Sequence, residues 1–362
     1  MTDWDRLPMR AGLGQFRDAT DEQLTFIKQC GVDDFLMNTP NLPGDERWEF
    51  RDLLMLRTKA ESFGLRLVAL ENTPRGFYDR IMLGLDGREE QLENMKATLR
   101  NMGKADIPVL GYNWMPNGVW RTSRDTRVRG GARATSFKLE LAKDAPNSHE
   151  RVYTADELWD NYCWYFERIL PVAEEAGVKL ALHPDDPPVD YALGGVARIC
   201  SSFAHFKRAM DTFDSPYHGL DFCHGCWSEM KGGKGVLEAI DYFASTGKII
   251  YVHFRDVQGS VNDFVEVWAN EGNDDMLDVV RRLKQHGFNG IMIPDHVPHM
   301  DGDTPWAHRG RAWTVGYITA LVEAVNKLDP DGVGANGKGK AQAAKSSRST
   351  KSKAKTRRAK AK

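Results

Sequence analysis

Short apolar runs rich in Val, Ile and Leu alternate with helical patterns along most of the chain, a rhythm that predicts repeated βα units around a parallel sheet. Eight runs qualify as strands: "MRAGLG" (9–14), "DDFLMN" (33–38), "LRLVALEN" (65–72), "PVLGYNW" (108–114), "VKLALHPD" (178–185), "YHGLDFCHG" (217–225), "KIIYVHFRDV" (248–257) and "NGIMIPDH" (289–296). Helical segments lie between them. In "TDEQLTFIKQCG", Thr20 and Gln23 fit a capping box and Gly31 a C-terminal stop; "TADELWDNYCWYFERILPVAEEAG" (154–177) carries apolar positions at three- and four-residue spacing. With a last helix over about 308–327, the pattern predicts an α/β fold, a closed (β/α)8 or TIM barrel. An open doubly wound sheet is the alternative, and the lack of a Gly-rich GxGxxG or GxxxxGK[ST] fingerprint after any strand speaks against it.

The connection after strand four breaks the rhythm. About 40 residues, crowded with Arg and Gly, separate that strand from the helix near 154, and an insertion of this length is functional or disordered. Its arginines (Arg121, Arg124, Arg127, Arg129, Arg133) are candidates to clamp a carboxylate, against the plainer reading of a solvated, positively charged loop.

Charge divides the chain further. Of 49 Lys and Arg, 11 lie from residue 336 on, where no acid occurs, leaving 38 against 51 Asp and Glu in the body. Residues 1–330 are therefore expected to form one catalytic barrel domain, and 331–362 a disordered Lys/Arg-rich tail. The tail is a candidate contact for nucleic acid or another polyanion, or a solubilising extension with no partner; the acidic body offers no nucleic-acid groove. No apolar run approaches the roughly 20 residues of a membrane span, and "MTDWDRLPMR" lacks a signal-peptide core, so a cytoplasmic protein is expected. The five cysteines, an odd number without secretory features, are expected to be reduced.

Chemistry collects where a parallel barrel puts its active groups, at the C-terminal strand ends. Strand five ends in His183, strand six in Asp221 and Cys223, strand seven in His253, Arg255 and Asp256, and strand eight in Asp295 and His296; strand three adds Glu71 and Asn72, strand four Tyr112 and Asn113. A single strand histidine is more often a hydrogen-bonded core residue than a ligand, and a buried Cys a small hydrophobe. Four consecutive strands ending in His, Cys, His and Asp change that balance, and His183, Cys223, His253 and Asp295 are the predicted ligands of a divalent transition metal. Thiolate and imidazoles suit zinc or iron, whereas the carboxylate and substrate oxygens favour manganese. The "CHGC" pair (Cys223, Cys226) offers a competing redox or zinc-knuckle reading, weakened by the lack of a second CxxC.

The motifs "YNWMP" (112–116), "RGGA" (129–132), "LALHPDDPP" (180–188), "GLDFCHG" (219–225), "YVHFRDV" (251–257) and "PDHVP" (294–298) make the chain resemble the mannonate dehydratases of the xylose-isomerase-like barrel superfamily, from about residue 9 to 328. The resemblance implies a hydro-lyase of hexuronate breakdown that converts D-mannonate to 2-keto-3-deoxy-D-gluconate, with Mn2+ or a similar ion (Fe2+, Co2+, Zn2+) on His183, Cys223, His253 and Asp295, and with His296 transferring a proton. Members of that family carry a tyrosine past the metal Asp, in a Pro-Gly-Tyr stretch. Here the region reads "GDTPWAHRGRAWTVGY", with Trp306 or a neighbour in its place, and an indole N–H does not exchange protons near neutral pH. His308 is the preferred replacement over Arg309, Tyr317 and Tyr112. Asn72, Tyr112, Asn113, Arg129, Arg255 and Asp256 are the expected substrate contacts, with an Arg-Asp brace of the barrel rim as the plainer reading of the last two. The expected partner is a small sugar acid, and a homo-oligomer is expected. Two other classes stand beside the dehydratase: a metal-dependent sugar isomerase or epimerase on the same barrel, and a non-enzymatic metal-dependent binding module.

Overall fold

The computed structural model describes residues 6–330, so the basic tail lies outside the described residues. All eight predicted strands are present, with others between them. In chain order they are β1 (Arg10–Ala11), β2 (Leu13–Phe16), β3 (Asp34–Asn38), β4 (Arg66–Glu71), β5 (Val109–Tyr112), β6 (Ser123–Arg127), β7 (Arg133–Lys138), β8 (Lys179–Leu182), β9 (His218–Cys223), β10 (Ile249–Phe254), β11 (Asp256–Ser260), β12 (Asp263–Val267) and β13 (Ile291–Pro294).

Nine of them form one parallel sheet in the order β1-β13-β10-β9-β8-β5-β4-β3-β2. β1 and β2 are successive pieces of one strand broken at Gly12, and they hold the two ends of that order, so the sheet closes into a TIM barrel: Arg10 pairs with Ile291 and Leu13 with Phe35. A Cβ at Gly12 would lie 3.0 Å from the Asp34 carbonyl oxygen, so a side chain at the break would be crowded.

Side chains alternate along each strand with period two, and this assigns every strand position to the barrel interior or to the surrounding helices. In β10, Tyr251 joins an interior cluster with Leu36, Val109, Ala181, Ile291 and Ile293, while Val252 and Phe254 join the larger cluster between strands and helices. The same parity carries inward from Ala181 to His183, from Asp221 to Cys223, from Tyr251 to His253 and from Ile293 to Asp295. The polar strand ends thus continue the inner face of the barrel upward.

The helices follow their sequence signals. Asp21–Gln29 begins with a Thr20/Gln23 capping box, and Ala155–Ala176 with a Thr154/Glu157 box, ending at Gly177 in the left-handed conformation. The last helix spans His308–Leu328.

The long insertion is not structureless. β6 and β7 form an antiparallel pair, and β7 joins the β11–β12 hairpin that follows β10, making a second sheet in the order β11-β12-β7-β6. Its own small core contains Phe137, Phe264, Val257, Val189 and Leu193. The sequence concealed this sheet because β6, "SRDTR", has no buried residue and β7 finds its second partner, β12, more than 120 residues away.

Parity also corrects one expected substrate contact. Tyr112 follows Leu110 outward, and its hydroxyl lies 3.0 Å from both Tyr162 Oη and His218 Nε2 under the helix layer. His218 is buried there with Nδ1–H donated to the Phe213 carbonyl (3.0 Å), and burial pushes its imidazole down to about 3. The unfolded chain binds a proton at this residue near pH 6.5, which the folded chain refuses, so stability falls as pH drops from about 6.5 toward about 3. The expected slope approaches about 1.4 kcal/mol per pH unit. Urea unfolding across this range should show the dependence in the wild type and a smaller one in His218→Gln; equal slopes would contradict the assignment.

Candidate metal centre and active site

At the C-terminal mouth the four strand ends meet. The donor atoms of His183, Cys223 and His253 all lie within 4.8 Å of one another. Asp295 completes the group: its Oδ2 is 3.7 Å from Cys223 Sγ and 3.6 Å from His253 Nδ1. Each imidazole is oriented from behind, as metal-bound histidines require. His183 donates Nδ1–H to the Pro184 carbonyl (2.6 Å), which turns Nε2 toward the centre. His253 Nε2 is held by Glu71 Oε2 (2.7 Å), with Asp221 Oδ2 at 3.3 Å. Its Nδ1 faces Asp295, buried and without a hydrogen-bond partner. That orphaned nitrogen, beside a thiol and a carboxylate, is what a cation site looks like from the protein side.

The electrostatics agree. Burial raises the Cys223 thiol, but the Cys226 thiol, the Arg255 guanidinium and His183 hold it well below the ordinary value. Against burial, His296 and His253 hold the Asp295 carboxyl down at about 2. Burial lowers the His183 imidazole, yet Cys223 and Asp221 bring it up to about 10. Burial pushes Asp221 up to about 8 in spite of both imidazoles. These directions set an easily ionised thiol and carboxyl beside two imidazoles, whose protons a divalent ion would replace.

Around it runs a buried ionic network. Arg255 Nε binds Asp295 Oδ2 (2.7 Å), Nη1 binds Glu229 (2.9 Å), and Nη2 reaches Asp186 (3.1 Å) and Cys226 Sγ (3.2 Å). Arg121, at the start of the insertion, holds Asp186 with two bonds (2.5 and 2.8 Å) and Glu266 of β12 with a third (2.6 Å). Glu266 in turn accepts from His296 Nδ1 (2.7 Å). Burial lowers the His296 imidazole, but Asp295 and Glu266 raise it above its ordinary value, and its side chain stays 38% exposed at the mouth. On the other side Gln15 donates Nε2–H to Asp295 Oδ1 (2.6 Å), at the left-handed φ of 66° that a side chain seldom adopts. Trp306 Nε1 donates to the Gln15 carbonyl (3.3 Å), and Arg311 reaches Gln15 Oε1 (3.4 Å) and the Pro294 carbonyl (2.8 Å).

The other expected contacts divide. Asn72 and Asn113 are joined (2.6 Å) and line a cavity of about 220 Å3 with Thr39, Arg75 and Met115, one residue beyond Glu71. Arg129 sits farther out, paired with Glu271 (2.9 Å) over the rings of Trp268 and Trp313, beside a cavity of about 370 Å3. Arg255 is buried in the network, and Asp256, fully buried, accepts from the amides of Val257 and Asp274; neither faces the mouth, which favours the bracing reading. His308 is held elsewhere, between Glu22 (3.0 Å), Thr304 and the rings of Phe26 and Trp306, so the centre does not gain it as a second protic group. All five cysteines are free thiols, and Cys226 meets the centre through a hydrogen bond to the Cys223 sulfur while its own sulfur accepts from Arg255 Nη2. Sequence reasoning missed Gln15, Arg311 and the joint role of Arg121, Asp186 and Glu266.

The D-mannonate dehydratase (UxuA) family model matches residues 13–152 and 140–330. The mannonate dehydratase of Streptococcus pneumoniae is 30% identical over 316 residues, 78% of this chain and 85% of that protein, and that of Thermotoga maritima 28% over 327 residues, 80% and 89%. The crystal structure of mannonate dehydratase from Streptococcus suis serotype 2 superposes with a TM-score of 0.81 at 28% identity, covering 89% of this chain and 95% of that one. This barrel, with its donors gathered at the mouth, therefore belongs to the D-mannonate dehydratase family, and the protein is a hydro-lyase acting on a sugar acid.

Proposed function

We propose that the chain dehydrates D-mannonate to 2-keto-3-deoxy-D-gluconate with a divalent ion, Mn2+ by preference, held by His183, Cys223, His253 and Asp295. The observation that carries this reading is the convergence of those four donors beside an unpartnered His253 Nδ1, with His296 next to the carboxylate. Fe2+, Co2+ and Zn2+ fit the same donors.

The bound ion would supply Lewis-acid stabilisation of charge developing on the substrate's carboxylate and 2-hydroxyl. The reaction itself breaks the C2–H bond with its proton passing to solvent water, places that electron pair between C2 and C3, and releases the 3-hydroxyl, protonated by His296, as water; the resulting enol rearranges to the 2-keto product. His296 is the proton-transfer residue in this reading. Glu266 holds its Nδ1–H, so Nε2 is the atom left to exchange a proton at the mouth. Its raised basicity, opposed by burial but favoured by Asp295 and Glu266, lets the imidazolium deliver a proton to the departing hydroxyl. Asn72, Asn113 and Arg75 line the space that receives the rest of the polyol. Arg255 binds Asp295 Oδ2 and Gln15 its Oδ1, which fixes the carboxylate with Oδ2 toward Cys223 and His253.

Mn2+-loaded protein incubated with a panel of aldonates should release water from D-mannonate, giving a product positive with thiobarbituric acid, and a chelator should abolish turnover. A product of unchanged mass would instead support an isomerase. His296→Asn is expected to lower kcat by about 10²- to 10⁴-fold while Mn2+ affinity, measured by equilibrium dialysis, is retained. Gln15→Gly is expected to weaken Mn2+ binding about 10- to 100-fold with an unchanged or raised Tm, since glycine relieves the left-handed backbone while removing the amide that orients Asp295. A Gly variant that binds Mn2+ as tightly as wild type would remove Gln15 from that role.

A further inference from the structure

A second group of donors lies on the far side of Arg255, outside the centre described above. His224 opens the helix His224–Lys231 directly after β9 and is wholly buried. Its Nδ1 is 2.8 Å from the Arg255 backbone carbonyl, an acceptor only, so the proton sits on Nδ1. Its Nε2 points at Asp274 Oδ2, 3.6 Å away, and neither atom has a hydrogen-bond partner. An oxygen of the fully buried Asp256 completes the group, with all three donor atoms within 4.8 Å of one another. Asp256 is fixed by amides on both oxygens, from Val257 (2.8 Å) and Asp274 (2.9 Å), each oxygen keeping a free lone pair. The backbone closes over it at Gly272, where a Cβ would lie 2.1 Å from Asp256 Cγ.

An imidazole lone pair facing two carboxylates is repulsive unless a positive charge sits between them. The spacing suits an ion rather than a shared proton. At 3.6 Å the nitrogen and oxygen are too far apart for a hydrogen bond, yet an ion about 2.1 Å from each would span them at an angle of about 120°. A backbone carbonyl on the remote nitrogen of the ring is also the arrangement that orients histidine ligands. Asp274, whose side chain is 11% exposed, gives the group its opening to solvent.

The geometry points to a second divalent cation site on His224, Asp256 and Asp274, with zinc best matched to one imidazole and two carboxylates. Such an ion ties the segment after β12 to the helix after β9. It does so through residues that brace Arg255, and hence Asp295, from behind. Sugar chemistry plays no part in this inference, so it stands or falls apart from the substrate assigned above.

The full-length protein is stripped with chelator and titrated with Co2+, then analysed for bound metal after gel filtration. The expected result is two ions per chain, of which one alone produces the thiolate-to-metal absorption that reports Cys223. Asp274→Asn should lose one ion and keep that absorption; Cys223→Ser should lose the absorption and keep one ion. A wild-type content of one ion with the thiolate band saturated overturns the proposal, as does an Asp274→Asn protein that still binds two. Zn2+ in place of Co2+ should give the same two-to-one change in metal content.

Discussion

A single guanidinium holds the active end of this barrel together. Arg255, almost wholly buried, binds Asp295, Glu229 and Asp186 and touches Cys226. Removing one partner of such a network leaves uncompensated charge in a dry interior, at a cost of about 3–5 kcal/mol. Each partner is in turn tied to a different part of the chain: Asp186 to the insertion through Arg121, Glu229 to the helix after β9, Asp295 to the last barrel strand. The fold and the chemistry therefore share one electrostatic keystone. The positive charge that makes the cluster of acids tolerable also keeps the Cys223 thiol easily ionised.

The antiparallel sheet extends this logic to His296 at the mouth. His296 is placed by Glu266 on β12, and Glu266 by Arg121 at the entry to β6. The barrel gathers His183, Cys223, His253 and Asp295 by strand parity, whereas the histidine beside them depends on two excursions that meet above the mouth. Scaffold and reactivity are thus assembled by different means, one by a repeating sheet and the other by pairing of distant segments.

How much of this was legible follows from the same distinction. His183, Cys223, His253 and Asp295 were readable because each continues the inward parity of a strand whose apolar residues announce themselves. Tyr112 was misplaced for want of that rule: Gly111, not Tyr112, faces inward, and a Cβ there would lie 2.1 Å from the Tyr251 hydroxyl oxygen. Arg255 and Asp256 lie past the end of β10, where the chain turns into β11 and the period no longer tells which way a side chain points. Gln15 carries no signal of its own, since its backbone conformation and its bond to Asp295 are supported by Trp306 and Arg311, nearly 300 residues on. The second sheet was hidden because its strands are mostly polar and its register is set by long-range pairing.

The two-part origin of that upper sheet has a consequence for exchanging parts of this fold. Residues 120–138 and 256–267 pair through β7 and β12 and share Arg121 and Glu266, so neither can be exchanged alone without stranding a charge or breaking a ladder. Swapped as a matched set between relatives, they form a removable roof that leaves the nine barrel strands beneath it in place.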